Sequence, residues 1–309
     1  MTRLPQVRFL ADGRRLHLQD GPVDLVIQAF GADHHVEVAY AAAVKRFTGL
    51  LDALCDELAE LRRPAAANGA ALTGRVARRM HAAVAPFAAE HFITPMAAVA
   101  GAVAEEVLGA MTEAARLDRA YVNNGGDIAL HLSEGQRFTV GLVDRPDAPA
   151  LIGTAAIDAS DPVRGIATSG RHGRSFSLGI ADAVTILAAT AAQADAAATI
   201  VANAVDLPGH PAVVRMPACE LQPDSDLGAR LVTRDVASLA SFDVDAALDA
   251  GAAMAERLMA RGLIHGAALR LQGATRMAGL GRAGLGLAVT PALASARTVP
   301  DHQESLIHA

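Results

Sequence analysis

The first thirty residues alternate between apolar and polar side chains, and then the period changes. Val7 to Leu10, Arg15 to Gln19 and Val23 to Ile27 are separated by Asp12-Gly13 and Gly21-Pro22, which predicts short strands joined by turns. From about Val36 to Arg63 the apolar positions Ala43, Phe47, Leu50, Leu51, Leu54, Leu58 and Leu61 recur at three- and four-residue steps. That spacing predicts one long helix, ended by Pro64. A second helix is predicted from Leu72 to Val84, closed by Pro86. A third begins at Pro95, a residue suited to a first turn, and runs toward Leu117. Its many Gly and Ala residues leave room for a neighbouring backbone to approach closely.

Strands then follow in a run: Ala120–Asn123, Ile128–Leu132, Phe138–Leu142, Ala150–Thr154, Gly165–Thr168 and Ala183–Ala188. A helix over Ala191–Ala204, a Pro/Asp-rich stretch over 207–226, a helix from about Val244 to Arg261 and a last strand over Ala267–Gln272 complete the pattern. Strands in runs, separated by whole helices, predict an α+β fold and not a Rossmann alternation. The pattern places one domain over residues 1–272. Residues 273–309 read as a Gly/Ala-rich C-terminal segment with a polar end, expected to be flexible or to join an oligomer contact.

Composition narrows the function classes. With 309 residues, 52% of them hydrophobic and 19% charged, the chain is long and apolar enough for a core and unlike a disordered segment. A net charge of −6 disfavours the basic face that nucleic-acid binding needs. No run of about 18 strongly apolar residues is present, so no membrane span is expected. The N-terminus lacks an apolar signal region, which predicts a soluble, cytoplasmic protein. Cys55 and Cys219 are expected as small core hydrophobes. Lys45, the one lysine, falls within a helix, so Schiff-base chemistry is set aside.

Three segments carry candidate chemistry. Tyr121 to Leu130 holds Asn124, Gly125, Gly126 and Asp127, where a strand meets glycines that let a ligand approach the backbone. The same residues also make an ordinary hairpin turn. Gly165 to Ser177 crowds Thr168, Ser169, Gly170, Arg171, His172 and Arg174 after a strand, forming either an anion cradle or a plain polar loop. Asp195 and Thr199 stand four apart on a helix, so their oxygens share a face. Such hard oxygen donors suit Mg²⁺ or Ca²⁺, although two ligands alone do not make a site. Asp33, His34, His35 and Glu37 are expected in a solvated loop. The glycines of Gly273 to Gly286 imitate a dinucleotide fingerprint without its βαβ frame.

In combination and order these segments resemble the ApbE superfamily, whose characterised members move FMN from FAD onto a Thr or Ser of a target protein, using Mg²⁺. The matching pieces are the small-residue helix start at Pro95 to Ala102, Asn124 to Ile128, Val140 to Pro146, Ala167 to Gly170, Val184 to Ile186, and Asp195 with Thr199. An uncharacterised ApbE-like branch is similar to the chain almost end to end, sharing Ile93 to Glu105 and Ser175 to Thr185. The resemblance implies a T-fold-like architecture of antiparallel sheets packed with helices. It also implies a nucleotide ligand such as FAD, with Mg²⁺ held by Asp195 and Thr199. Asn124, Gly125, Gly126, Asp127, Thr168, Ser169, Gly170 and Arg171 would contact the ligand. The transferases carry a His-x-x-Asp-Pro loop where this chain has the shorter segment Arg171 to Asp182 without Asp-Pro, and the resemblance implies His172 or Asp182 as the substitute at that catalytic place.

Two other functions are implied by the same relationship. One is a non-catalytic accessory protein in sulfide assimilation to homocysteine, working with a partner protein. The other is a purine- or pterin-binding protein of one-carbon metabolism. A homo-oligomer is expected from the Ala-rich surface.

Overall fold

The computed structural model describes residues 4–66, 71–143, 151–279, 287–288 and 306–308. Its strands are β1 (Gln6–Phe9), β2 (Leu16–Asp20), β3 (Val23–Phe30), β4 (Arg119–Asn124), β5 (Asp127–Leu132), β6 (Arg137–Val143), β7 (Leu151–Asp158), β8 (Gly165–Ser169), β9 (Ala183–Ala188), β10 (Val213–Pro217), β11 (Leu231–Val236), β12 (Gly266–Leu271), β13 (Ala274–Ala278), β14 (Leu287–Ala288) and β15 (Leu306–His308). Its α-helices are α1 (Asp33–Phe47), α2 (Leu50–Asp56), α3 (Leu58–Leu61), α4 (Arg75–Val84), α5 (Val99–Ala114), α6 (Ala191–Ala204), α7 (Ala218–Leu221) and α8 (Ser241–Ala260).

The fold is α+β. Nine strands form one sheet in the order β1-β2-β3-β4-β5-β8-β9-β12-β13, antiparallel at every step. One face receives the helices: Leu18, Leu25, Ile27, Val122, Val184, Ile186 and Leu269 share a core with Phe47, Met80, Val107, Met111 and Leu248. The other face is covered at its centre by the β6–β7 hairpin, where Phe138, Val140 and Ile157 pack on Tyr121, Ile128, Leu130, Ile166 and Leu187. Double coverage explains why all six residues of β9 are buried, whereas β3 alternates strictly. Glu106 of α5 is buried and binds Arg46 of α1 at 2.7 Å and Arg79 of α4 at 2.6 Å, tying three helices together.

Several elements differ from the sequence expectation. The helix expected over Val36–Arg63 is three helices, interrupted where Gly49 takes a left-handed φ of 76° after α1. Asp33, His34 and His35 form the first turn of α1 instead of a loop. Among the described residues, no three His, Cys, Asp or Glu side chains gather as a metal site. Cys55 is exposed and Cys219 only partly covered, so neither is a core residue. The Pro/Asp-rich stretch contains β10, which pairs with β11. Ala274–Ala278, past the expected boundary at 272, is the edge strand β13. Part of the Val140 to Pro146 segment, and most of 273–309, lie outside the described residues. Among the described residues no helix is long and apolar enough to cross a membrane.

Candidate functional site

Antiparallel order brings four connections to one rim of the large sheet. They are the β2–β3 turn at Gly21-Pro22, the β4–β5 turn at Gly125-Gly126, the β8–β9 loop from Gly170 to Asp182, and the β12–β13 turn at Gln272-Gly273. The rim thereby gathers ten of the twelve residues to which the resemblance gives a place in the site. Asp195 and Thr199 approach from the helical side, on α6.

The Asn124–Asp127 segment is a two-residue hairpin turn, and it also presents chemistry. Gly125 and Gly126 both have positive φ, 66° and 112°, which a residue with a Cβ adopts only under strain. Asn123 Oδ1 accepts the Gly126 N–H at 2.8 Å and fixes the turn. Asn124 is buried and donates from Nδ2 to the Ala100 carbonyl at 3.1 Å, joining the turn to the start of α5.

Strands β5 and β8 pair only at Ile128–Ile166 and Ala129–Gly165. Beyond that point the Asp127 carboxylate replaces the ladder, accepting the Thr168 N–H at 3.2 Å. The Thr168 hydroxyl meets that of Thr185 at 2.8 Å. From α6, Asp195 Oδ2 accepts the Gly101 N–H at 3.0 Å. Both Asp residues keep some accessible surface, but their carboxylates lie deep enough for burial to be the largest influence on their protonation. Burial pushes the Asp195 pKa up to about 7, with the Gly101 and Ala100 amides opposing the shift. Asp127 is also raised well above the ordinary carboxylate value, by burial first and then by the charge of Asp195, with the Thr168 amide opposing. Among the described residues neither carboxylate has an Arg, Lys or His partner. Two interacting acids without a counter-charge must share protons or hold a cation.

The β8–β9 loop is organised by Asp182. Arg171 donates to Asp182 Oδ1 from Nε at 2.9 Å and approaches it with Nη2 at 2.7 Å; His172 Nε2 lies 3.3 Å from the same oxygen. The Gln272 N–H binds the other oxygen, and the Arg171 N–H donates to the Ala181 carbonyl at 2.9 Å. Gly170 packs so closely that a Cβ there would stand 2.4 Å from the Asp182 carbonyl oxygen. Arg174, farther along, donates from Nη1 to the Pro22 carbonyl at 3.1 Å.

The structure therefore brings His172 together with Asp182, and Asp127 with Asp195. The second pairing was not legible from spacing, because the two acids stand 68 positions apart. Thr199 lies partly buried one turn beyond Asp195 on α6. Two shallow clefts, of about 470 and 430 Å³, open at the other ends of β4 and β5. The larger is lined in part by His35, Arg116, His131 and Ser133. These clefts and the acid pair lie at different places, and the unmatched carboxylates locate the candidate site better than an open hollow does.

Residues 7–277 match the family described as AbpE bacteria. The UPF0280 protein of Methanopyrus kandleri is 38% identical over 128 residues, which cover 41% of this chain and 48% of that one. The UPF0280 protein of Methanothrix thermoacetophila is 38% identical over 127 residues, covering 37% and 46%. The chain spans about half the length of the curated relatives it matches. Among solved structures, a mutant of the flavin transferase ApbE from Vibrio cholerae aligns over 85% of this chain and 96% of that one, with a TM-score of 0.43 and 11% identity.

Proposed function

The chain belongs to the family AbpE bacteria, and from that premise we propose that it is a cytoplasmic, Mg²⁺-dependent transferase or hydrolase acting on the diphosphate of a flavin nucleotide such as FAD. The observation that carries this reading is the pair Asp127 and Asp195, two interacting carboxylates with no cationic side chain paired to either among the described residues. Magnesium takes hard oxygen ligands, commonly one or two carboxylates with water and substrate phosphate completing the shell. Asp127 and Asp195 would hold it, with the Thr199 hydroxyl one turn along α6 as a further oxygen. Bound there, the ion would supply positive charge to phosphoryl oxygens as they gain negative charge, an effect worth several kcal/mol of barrier.

The chain's own residues supply the rest. Asn124 fixes the β4–β5 turn against α5, so Gly125 and Gly126 offer bare backbone beside the acids. Thr168, Ser169 and Gly170 lead into the loop that faces the turn across the rim. His172 sits against Asp182, an arrangement that holds an imidazole ready to give or take a proton. The motif resemblance supplies the ligand class, and the oxygen-only donor set supplies the metal class.

The test is thermal shift and calorimetry of the full chain with FAD, FMN, a pterin and GTP, each with and without Mg²⁺. A Mg²⁺-dependent shift with FAD that disappears in Asp195→Asn supports the reading. A shift with the pterin alone would transfer the site to one-carbon chemistry, and silence with all four would favour an accessory protein that acts through a partner.

A further inference from the structure

We infer that Arg174 is the residue that contacts the phosphate groups of the ligand, while Arg171 of the same loop serves as a brace. The inference rests on the nucleotide reading above and goes beyond it by assigning the contact. The two arginines are three residues apart, and their surroundings differ. Arg171 directs Nε and Nη2 to one oxygen of Asp182, with its side chain 18% exposed. Its charge is matched and its fork is occupied.

Arg174 is exposed and, among the described residues, pairs with no carboxylate. Its Nη1 donates to the Pro22 carbonyl, which carries the side chain across the rim from the β8–β9 loop to the β2–β3 turn. On the way it lies over the β4–β5 turn, with Cζ 3.8 Å from where a Cβ on Gly125 would stand. Gly125 is two residues from Asp127. A guanidinium has five N–H donors in a planar fork that fits phosphate oxygens in pairs. One bond to a neutral carbonyl leaves that charge unmatched and most of those donors unused. The side chain is thus held beside the glycine turn with its capacity for an anion intact. An anion held by Arg174 over Gly125 would stand two residues along the chain from Asp127, and would gain from Arg174 and from the cation proposed at the two acids.

The experiment is calorimetric titration of the full chain with FAD and with inorganic pyrophosphate, in saturating Mg²⁺, for wild type, Arg174→Gln and Arg174→Lys. Arg174→Gln should weaken both ligands by a similar factor, roughly tenfold to a hundredfold for one charge-assisted contact. Arg174→Lys should fall between, because it keeps the charge and loses the fork. An unchanged affinity for both ligands in Arg174→Gln, or a loss for FAD alone, overturns the assignment and leaves the nucleotide site standing. A wild type that binds neither ligand takes down the nucleotide reading, and this inference with it. An unshifted melting temperature of the unliganded variants separates a lost contact from a lost fold.

Discussion

Asp195 in the second turn of α6 accepts a hydrogen bond from the backbone of Gly101 in the first turn of α5, at 3.0 Å. The exchange is mutual, since Glu105 of α5 accepts the Ala192 N–H at the start of α6, at 2.7 Å. Each helix caps the other's open amides with a carboxylate, satisfying donors that have no intrahelical partner. Asp195 thus serves as a cap beside its proposed place as a cation ligand, and one substitution separates the two. Asn keeps an oxygen for the Gly101 amide and removes the charge that crowds Asp127. Asp195→Asn should therefore fold with an unchanged or raised melting temperature without metal and show no Mg²⁺-dependent stabilisation. A Mg²⁺ titration followed by thermal shift decides this, and a shift of wild-type size in the variant would remove Asp195 from the metal site.

The same carboxylates set a pH dependence. Asp195 is raised from 3.8 to about 7, with Asp127 raised beside it, so the folded chain binds protons that the unfolded chain releases. The stability tied to these protons is complete below about pH 4 and is lost as pH rises through 7. His265 works in the opposite direction, because burial lowers its pKa and favours the fold as pH rises. The difference between wild type and Asp195→Asn isolates the acid pair. Without metal, wild type should lose melting temperature relative to the variant between pH 5 and pH 8, and Mg²⁺ should restore it at the alkaline end. Parallel pH profiles for the two proteins would contradict the coupling.

Gly101 tests the crossing of the two helices. Helix propensity favours Ala over Gly by about 1 kcal/mol in a helix. Sterics oppose it, because a Cβ at Gly101 would stand 2.3 Å from the Ala191 carbonyl oxygen and 2.7 Å from the Ala192 nitrogen. Backbone atoms cannot yield as a flexible side chain does, so the clash should win. Gly101→Ala should cost about 1–3 kcal/mol in urea unfolding, the usual scale of overpacking. A gain in stability would mean that α5 and α6 lie farther apart than this.

How much of this could be read in advance depended on whether each signal was local. Strand β3 alternates, and α6 runs over the residues its apolar spacing predicts, because Thr190 caps it through its own side chain. The break after α1 was also local, in Thr48 and Gly49, but the apolar period continues across it and masks the stop. Strand β10 has no alternation to detect, since its residues are nearly uniformly half-covered. Strand β13 follows a turn whose first residue, Gln272, takes a φ of 43° without being glycine, held by bonds to Asp182, Leu239 and Ala237 that lie elsewhere in the chain. In the candidate site, Asp195 and the Asn124–Asp127 turn could each be singled out from the sequence separately. Their meeting was not, because it depends on β5 and β8 parting after two pairs and on α6 lying beneath the gap.

Asp182 governs the order of the β8–β9 loop. Its carboxylate holds Arg171, His172 and the Gln272 amide, and so pins the neck of the loop to the β12–β13 turn. Asp182→Ala removes all three contacts and leaves the Arg171 guanidinium, mostly covered, without its partner. The cost should be roughly 1–3 kcal/mol of stability, below the figure for a fully buried pair because Arg171 keeps some access to water. The larger effect should be local. Arg171 and Arg174 are trypsin sites on a loop whose ends are tied down, and a protease needs the segment extended. Limited trypsin digestion under native conditions should cut after these arginines several-fold faster in Asp182→Ala than in wild type, while cleavage elsewhere is little changed. Equal rates at the loop would show that its shape comes from the Arg171–Ala181 backbone bond and the close packing of Gly170, with Asp182 contributing charge alone.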